Sequence, residues 1–129
     1  MKDLDYVAVE YLSVEDLLVI GRYTIPDFRV RDFGLLQMAA LRPKLTVYGV
    51  EAYESFPEKV AALMHALAQN HALIDGNKRL AWAGARAFCL LNGKDIYLNV
   101  DEAEDLIMNI AMGKAGVKEI LITISNKIY

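Results

Sequence analysis

One nine-residue stretch, His71 to Arg79, constrains the fold more than any other part of the chain, because it places a polar, glycine-containing loop between two apolar runs. It reads His-Ala-Leu-Ile-Asp-Gly-Asn-Lys-Arg. Residues 56–70 before it and residues 80–91 after it repeat apolar side chains at helical spacing. The sequence therefore predicts a helix, a polar loop at 71–79 and a second helix whose first turn contains the last three residues of the stretch.

The loop has the composition of a phosphate site. The first backbone N–H groups of a helix lack partners, and the helix dipole makes that end electropositive. Gly76 would let an anion approach the main chain, and Lys78 and Arg79 add positive charge. Asp75 is then suited to hold Mg²⁺ beside bound phosphates. His71 is the candidate general base, because it is the only group in the stretch that titrates near neutral pH.

Each of these residues also has an ordinary structural explanation. Asp75, Gly76 and Asn77 could form a simple capped turn, and the two cations could be solvated surface charges. On chemistry alone both interpretations stay open. The stretch contains no Ser or Cys, so an attacked hydroxyl would come from a second substrate rather than from the protein itself.

The pattern His-x-x-x-Asp-Gly-Asn-Lys-Arg resembles the signature of the Fic/Doc superfamily, and the lysine at position 78 resembles its Doc (death-on-curing) toxin branch. The likeness covers roughly residues 10–115. Besides the motif it includes Arg42-Pro43, Tyr48 to Tyr53, Glu58 to Ala68, Ala81 to Ala83 and Phe88 to Gly93.

The resemblance implies a fold and a set of site residues. The fold is a single all-α domain over residues 1–129, a compact Fic/Doc-type bundle of five to six helices with a short β-type flap at about 45–54. His71 would be the base, and Asp75 would hold Mg²⁺. The phosphates of ATP would be bound by Gly76, Asn77, Lys78 and Arg79. The flap residues that would hold a target peptide by strand pairing are Tyr48, Gly49, Val50 and Glu51.

The superfamily divides on chemistry, and two positions indicate the branch. Fic-type enzymes transfer AMP from ATP to a protein hydroxyl, with a glycine at the position of Lys78 and an arginine at that of Trp82. Doc-type members resemble kinases that bind ATP the other way round and phosphorylate a threonine of translation elongation factor EF-Tu, which halts protein synthesis. A lysine fills and charges the space of one phosphate, and loss of an arginine removes a phosphate clamp.

Three functions are therefore carried forward. The first is a Doc-like kinase toxin, the second is a Fic-type AMP transferase, and the third is a catalytically inactive module that works only through a partner. Ala72 and Leu73 depart from the Pro and Phe common in the family, which bears on packing of the loop. No self-inhibiting Ser/Thr-x-x-x-Glu-Gly/Asn segment is found, so the resemblance implies a Phd-like antitoxin whose tail folds on binding.

Composition restricts the remaining classes. Hydrophobic residues are 55% of the chain, which favours a compact globule. A net charge of −3 and a pI near 5.3 argue against direct nucleic-acid binding. The lone Cys89 is expected to be a buried thiol. The sequence shows no signal-peptide pattern and no membrane-spanning run, so a cytoplasmic protein is expected.

Other local patterns predict the remaining elements. Capping-type starts are expected at Ser13 and Asn99, and Asp32 should cap a helix over Phe33–Leu41. A strand-like piece is expected at Tyr6–Val9. Residues 117–125 are ambiguous, since their β-branched content favours a strand while their closing position favours the helix that we predict.

Isolated polar residues receive structural interpretations. His65 could be a second base or a ligand, but a hydrogen-bonded structural histidine is the preferred interpretation. Arg86 could reach back to the phosphate site, but we favour a pair with a carboxylate such as Asp101 or Glu102. Three arginines before the second helix are expected to be solvated: Arg22, Arg29 and Arg31.

Overall fold

The computed structural model describes residues 8–129, and within them the chain forms six helices and one small hairpin. The helices are α1 (Val14–Thr24), α2 (Phe33–Leu41), α3 (Phe56–Gln69), α4 (Asn77–Leu91), α5 (Val100–Ala111) and α6 (Val117–Ile124). A 3₁₀ turn (Arg42–Lys44) and the antiparallel strands β1 (Thr46–Val47) and β2 (Val50–Glu51) lie between α2 and α3. The predicted all-α bundle with a short β flap is confirmed.

The helix starts follow the capping side chains. Ser13, Ser55 and Asn99 each accept a hydrogen bond from the backbone three residues on, and an acidic side chain there bonds back, which completes a capping box. Asp32 caps α2 by accepting from the Leu35 N–H at 3.1 Å. The predicted bounds of α2 are confirmed.

The predictions for the two ends of the chain have different outcomes. Residues 117–124 form α6, so the helical prediction is confirmed and the strand alternative is wrong. Ile120 and Ile124 lie four residues apart and are fully buried. Burial of apolar side chains at helical spacing therefore outweighs the strand propensity of the β-branched residues here. Of the expected strand, Tyr6 and Val7 lie outside the described residues, and the following two residues belong to no strand.

Helix α3 is the centre of the core and contacts α2, α4, α5 and α6. Its predicted apolar stripe, Val60, Leu63, Met64 and Leu67, is at most 3% exposed. On α4, Cys89 is fully buried, and burial raises the pKa of its thiol to about 12, which makes it an inert core group.

Helices α3 and α4 approach each other closely at Gly84. A Cβ built on Gly84 would lie 2.8 Å from Cδ1 of Leu67 on α3 and 3.5 Å from Cδ2 of Leu17 on α1. A side chain at this position would therefore push the two helices apart. Because α3 leads into the loop at 71–76 and α4 leads out of it, their contact fixes both ends of that loop.

We expect Gly84→Val to lower the free energy of unfolding by about 1–3 kcal/mol, because the added methyl groups overpack the contact with Leu67. The matched control is Ala83→Val, which introduces the same side chain one residue earlier, where the surface is only half-buried. Urea denaturation of both variants measures the difference. Equal stabilities would show that helix propensity, and not the helix contact, governs this position.

Candidate functional site

The loop between α3 and α4 begins with a sharp turn of the backbone. Helix α3 ends at Gln69, Asn70 retains helical angles, and His71 adopts φ = 53° in the left-handed region. A non-glycine residue there is uncommon and occurs mainly where the surrounding structure enforces it. The turn reverses the chain and leaves the imidazole of His71 exposed.

Arg31 holds the backbone of His71 in this conformation. Its guanidinium donates two hydrogen bonds to the His71 carbonyl oxygen, the one from Nε at 2.8 Å. The next carbonyl, that of Ala72, accepts from the backbone N–H groups of Arg31 and Asp32 at 2.8 and 3.0 Å. Arg31 is exposed, as expected of a solvated charge, but that interpretation misses its contact with His71. No local signal identifies the contact, because the partners lie 40 residues apart.

The same segment pairs with the loop like a short strand. Val30 and Leu73 form an isolated antiparallel bridge, and the Ile74 N–H donates to the Arg29 carbonyl at 3.1 Å. The loop is thus supported from outside by the connection between α1 and α2. Leu73 itself is buried at 2% exposure, so the apolar residue at this unusual position serves as an anchor for the loop.

Asn77 closes the loop from the inside. Its side-chain oxygen accepts from the Leu73 N–H at 3.0 Å, and its side-chain nitrogen donates to the Leu73 carbonyl at 3.1 Å. Both ends of the amide are therefore used by the protein. That Asn77 contacts phosphate stays a prediction. The donor would be its backbone N–H, because the side-chain amide is bonded to Leu73.

Gly76 is required at the start of α4 for two reasons. Its φ of 91° is strained for other residues, and a Cβ there would lie 2.8 Å from Cγ2 of Ile25, the C-cap of α1. The predicted conformational role of this glycine is confirmed. Gly76 provides no side-chain cap, so the first N–H groups of α4 lack the partner that a capping side chain would give them.

Two cations lie in that first turn. Lys78 and Arg79 are both exposed, and neither forms an ion pair within residues 8–129. Arg79 makes only a long hydrogen bond of 3.5 Å from Nη1 to the Thr24 carbonyl. The helix dipole and the two side chains therefore combine at one place, which is favourable for an anion.

Asp75 is the acidic group of the loop. Its Oδ1 accepts from the Gly76 N–H at 2.9 Å, which orients the carboxylate at the helix start. Within the described part of the chain, no three His, Cys, Asp or Glu side chains gather into a metal site. One carboxylate fits Mg²⁺ only where phosphate oxygens and water complete the coordination, which is the usual arrangement for this ion.

The flap is a hairpin with an exposed tip. Val47 pairs with Val50 and Thr46 with Glu51 around the turn residues Tyr48 and Gly49. Both turn residues have positive φ, 52° and 78°, as the tightest hairpins require. The tyrosine is fully exposed, so its strained backbone is not explained by packing. Within the described chain, no third strand pairs with this hairpin.

The base of the flap is anchored by a buried lysine. Lys59 on α3 is only 2% exposed and donates to the Glu51 carboxylate at 2.8 Å and to the Tyr53 carbonyl oxygen. Arg42 donates from Nε to the Tyr53 hydroxyl at 2.8 Å. The side chain of Glu51 thus has a structural partner, Lys59. That Glu51 pairs with a target peptide stays a prediction, and it concerns the backbone groups of this residue.

His65 differs from its sequence-based interpretation. Its Nδ1 is buried and has no hydrogen-bond partner among the described residues, so the expected hydrogen-bonded histidine is not found. Burial, and secondarily the charge of Arg42, lower its pKa from the usual value of 6.5. The neutral imidazole is the form that this packing favours.

Arg86 pairs with a carboxylate, as predicted, but with neither of the two that the sequence suggested. It forms a bidentate ion pair with Asp95, in which Nε donates to Oδ1 at 3.0 Å and Nη2 donates to Oδ2 at 3.1 Å. Asp101 and Glu102 are not its partners. The hydrogen bond from this guanidinium is the main reason that the pKa of Asp95 lies below its usual range. The chain turns back directly after α4, which brings residue 95 closer than the start of α5.

We expect Asn77→Ala to reduce the free energy of unfolding by about 1–3 kcal/mol, because two hydrogen bonds to buried backbone groups are lost. Lys78→Ala is the matched control, since the neighbouring side chain is exposed and should change stability by less than about 0.5 kcal/mol. Thermal and urea denaturation give both values. A destabilised Lys78→Ala together with an unaffected Asn77→Ala would contradict the assignment of the amide.

We expect stability to decrease as the pH falls through about 6.5, because the unfolded chain then binds a proton at His65 that the folded chain resists. His65→Gln should flatten this part of the stability curve. The measurement is the midpoint of urea denaturation at pH values between 7.5 and 5.5. If this midpoint depends on pH in His65→Gln as it does in the wild type, groups other than His65 cause the loss of stability.

Comparison with known proteins agrees with this geometry. The sequence model of the Fic/DOC family matches residues 11–89, which is more than half of the chain and includes the loop and the flap. Toxin Doc of Mycolicibacterium smegmatis is 50% identical over 105 residues, which are 79% of this chain and 81% of that protein. None of the described helices has the length and apolar character needed to span a lipid bilayer.

Proposed function

Because the chain belongs to the Fic/DOC family, we propose that it is the toxin of a toxin–antitoxin system and that it acts as a Doc-like, Mg-ATP-dependent protein kinase. Its target would be a threonine hydroxyl of elongation factor EF-Tu in the cytoplasm, and the modification would arrest translation. The similarity to a protein named Toxin Doc supports the first part. The geometry of the loop supports the second.

The observation that carries the kinase proposal is the exposed Lys78 at the second residue of α4. Its side chain adds a full positive charge where the helix start already attracts phosphate. Trp82 follows it by one helical turn, so the helix offers no second arginine to bind a further phosphate at that point. Both features disfavour the AMP-transfer alternative, which uses a small residue and an arginine at these positions.

The proposed reaction needs one proton acceptor. The target hydroxyl oxygen bonds to the γ-phosphorus, the bond from that phosphorus to the bridging oxygen breaks, and ADP leaves. The hydroxyl proton passes to the imidazole of His71, which is exposed and whose backbone is fixed by Arg31. The flap, through the free edges of β1 and β2, would align the target chain.

Different groups of the loop would bind the phosphates and the metal ion of the nucleotide. The backbone N–H of Asn77, with Lys78 and Arg79, would bind the phosphates, and Gly76, whose own N–H donates to Asp75, would leave room for them because it has no side chain. Asp75 would hold Mg²⁺, which would bridge phosphate oxygens and offset their charge. Because the whole chain carries a net charge of −3, this attraction is local.

A partner that restrains the toxin is part of the proposal. Helix α2 is apolar apart from Gln37, and its outer residues Phe33, Met38 and Leu41 are 49%, 62% and 51% exposed. Such a surface favours contact with another protein. A Phd-like antitoxin that folds on binding is the partner we propose. A catalytically inactive module is disfavoured, since His71 and Asp75 remain accessible.

The decisive assay uses the purified chain, Mg²⁺, EF-Tu and ATP labelled on either the α- or the γ-phosphate. We expect label from the γ-position only, a loss of at least about a hundredfold in His71→Ala because general-base catalysis is removed, and a large loss in Lys78→Ala. Lys118→Ala, on exposed α6 surface, is the matched control for the charge and should retain activity. Transfer of α-label would establish AMP transfer instead. Transfer of neither label would mean a different target or a silent site, and a growth test on expression would distinguish these two.

A further inference from the structure

We infer that Arg31 binds an acidic side chain of the target protein, close in the target chain to the hydroxyl that is modified. Arg31 is then a specificity-determining residue in addition to holding the loop. This inference rests on the proposed function, because it concerns the protein on which His71 acts. The observations that carry it are the hydrogen bonds, the exposure and the unpaired charge of the Arg31 guanidinium.

Arg31 has more hydrogen-bond donors than its contact with the loop uses. A guanidinium carries five N–H groups, and those on Nε and one on Nη2 donate to the His71 carbonyl oxygen, so three remain. The remaining groups lie on Nη1 and Nη2, the two nitrogens that together bind a carboxylate through parallel hydrogen bonds. Because Arg31 is exposed, these donors are accessible to a ligand.

The positive charge of Arg31 is not used within residues 8–129, where no ion pair involves this residue. The neighbouring carboxylate, that of Asp32, accepts instead from the Leu35 N–H at 3.1 Å. The contact with the loop does not require a charge either, since the neutral amide of Asn77 holds another carbonyl of the same loop. The charge is therefore available for an anion from outside the protein.

The position of Arg31 favours the target over the nucleotide as the source of this anion. The phosphates would lie at the start of α4, whereas Arg31 contacts the opposite end of the loop, at its first residue. That residue is His71, whose imidazole would accept the proton of the target hydroxyl. A cation fixed to the backbone of His71 therefore meets the part of the target chain that surrounds the hydroxyl.

Arg31 and the flap lie at the two ends of α2. Arg31 precedes the first residue of this helix by two positions, and the flap follows the 3₁₀ turn after its end. The nine residues of α2 span about 14 Å, which is the length of about four residues of extended chain. A short target segment can therefore pair with the flap and contact Arg31 at the same time.

The contact with His71 also prepares Arg31 for binding. A free arginine side chain loses much rotational freedom when it binds a ligand, and this loss opposes association. The guanidinium of Arg31 is already fixed by two hydrogen bonds to one oxygen. A carboxylate that binds it therefore meets a cation that is ordered in advance.

Fluorescein-labelled peptides test the inference by fluorescence anisotropy. The peptides share one sequence with a single threonine and carry either glutamate or glutamine at successive positions on either side of it. We expect the wild type to bind the best glutamate peptide at least about tenfold more tightly than its glutamine counterpart, because a charge-assisted bidentate contact is lost. This comparison needs no substitution in the protein.

Variants of the protein assign the preference to Arg31. Arg31→Gln should bind the glutamate and glutamine peptides equally, and Arg31→Glu should instead prefer lysine at the same peptide position. This reversal would not result from damage to the fold. Arg29→Gln is the matched control, since it removes the same charge from the same connection, where Asp27 already pairs with it at 3.1 Å. This variant should keep the wild-type preference.

The outcomes separate this inference from the proposed reaction. Equal binding of glutamate and glutamine peptides by the wild type, or binding of none of them, would overturn the role of Arg31. Weaker binding of ATP by Arg31→Gln, with the peptide preference retained, would place Arg31 at the nucleotide and overturn it as well. Transfer of γ-label to EF-Tu in either case would leave the kinase proposal standing. A glutamate preference that depends on Arg31, without transfer of label, would support Arg31 and count against the reaction.

Discussion

The contact between α3 and α4 is the constraint on which the site depends. At Gly84 the two helices approach so closely that the missing Cβ leaves no spare space, and the helices bracket a loop of seven residues. The short loop can close only with a left-handed residue at each end, His71 and Gly76. The conformation that exposes the imidazole is thus a consequence of core packing, transmitted through a few backbone torsions.

Charge in this protein is arranged locally rather than globally. The chain is acidic as a whole, yet the start of α4 combines unpaired N–H groups with two exposed cations. Two other charged groups near the site are neutralised by partners, Lys59 by Glu51 and Arg86 by Asp95. An anion is therefore attracted to the loop, and its approach weakens with added salt because the free cations are exposed.

The sequence predicts what is local and misses what is distant. Capping at Ser13 and Asn99, the bounds of α2 and the conformational need for Gly76 depend on neighbours within a few residues, and each is recognisable from the chain alone. The clamp of Arg31 on His71 spans 40 residues and has no periodic signal.

The choice of partner for a charged side chain is equally hard to predict. Arg86 binds the nearer Asp95 because the chain reverses at once after α4, and the buried Nδ1 of His65 has no partner within residues 8–129. The interior use of the Asn77 amide is a further example, since the same residue type at a helix start suits either a ligand or a loop. These outcomes depend on three-dimensional proximity, which a single sequence does not contain.

The flap has a further consequence for how such proteins diversify. Its base is tied to the core by the buried Lys59, whereas the tip at Tyr48 and Gly49 contacts nothing that maintains the fold. The residues that stabilise the flap and the residues at its tip are therefore different members of one ten-residue segment. Substitutions at the tip can accumulate in evolution with little loss of folded protein, whereas substitutions at the base cannot.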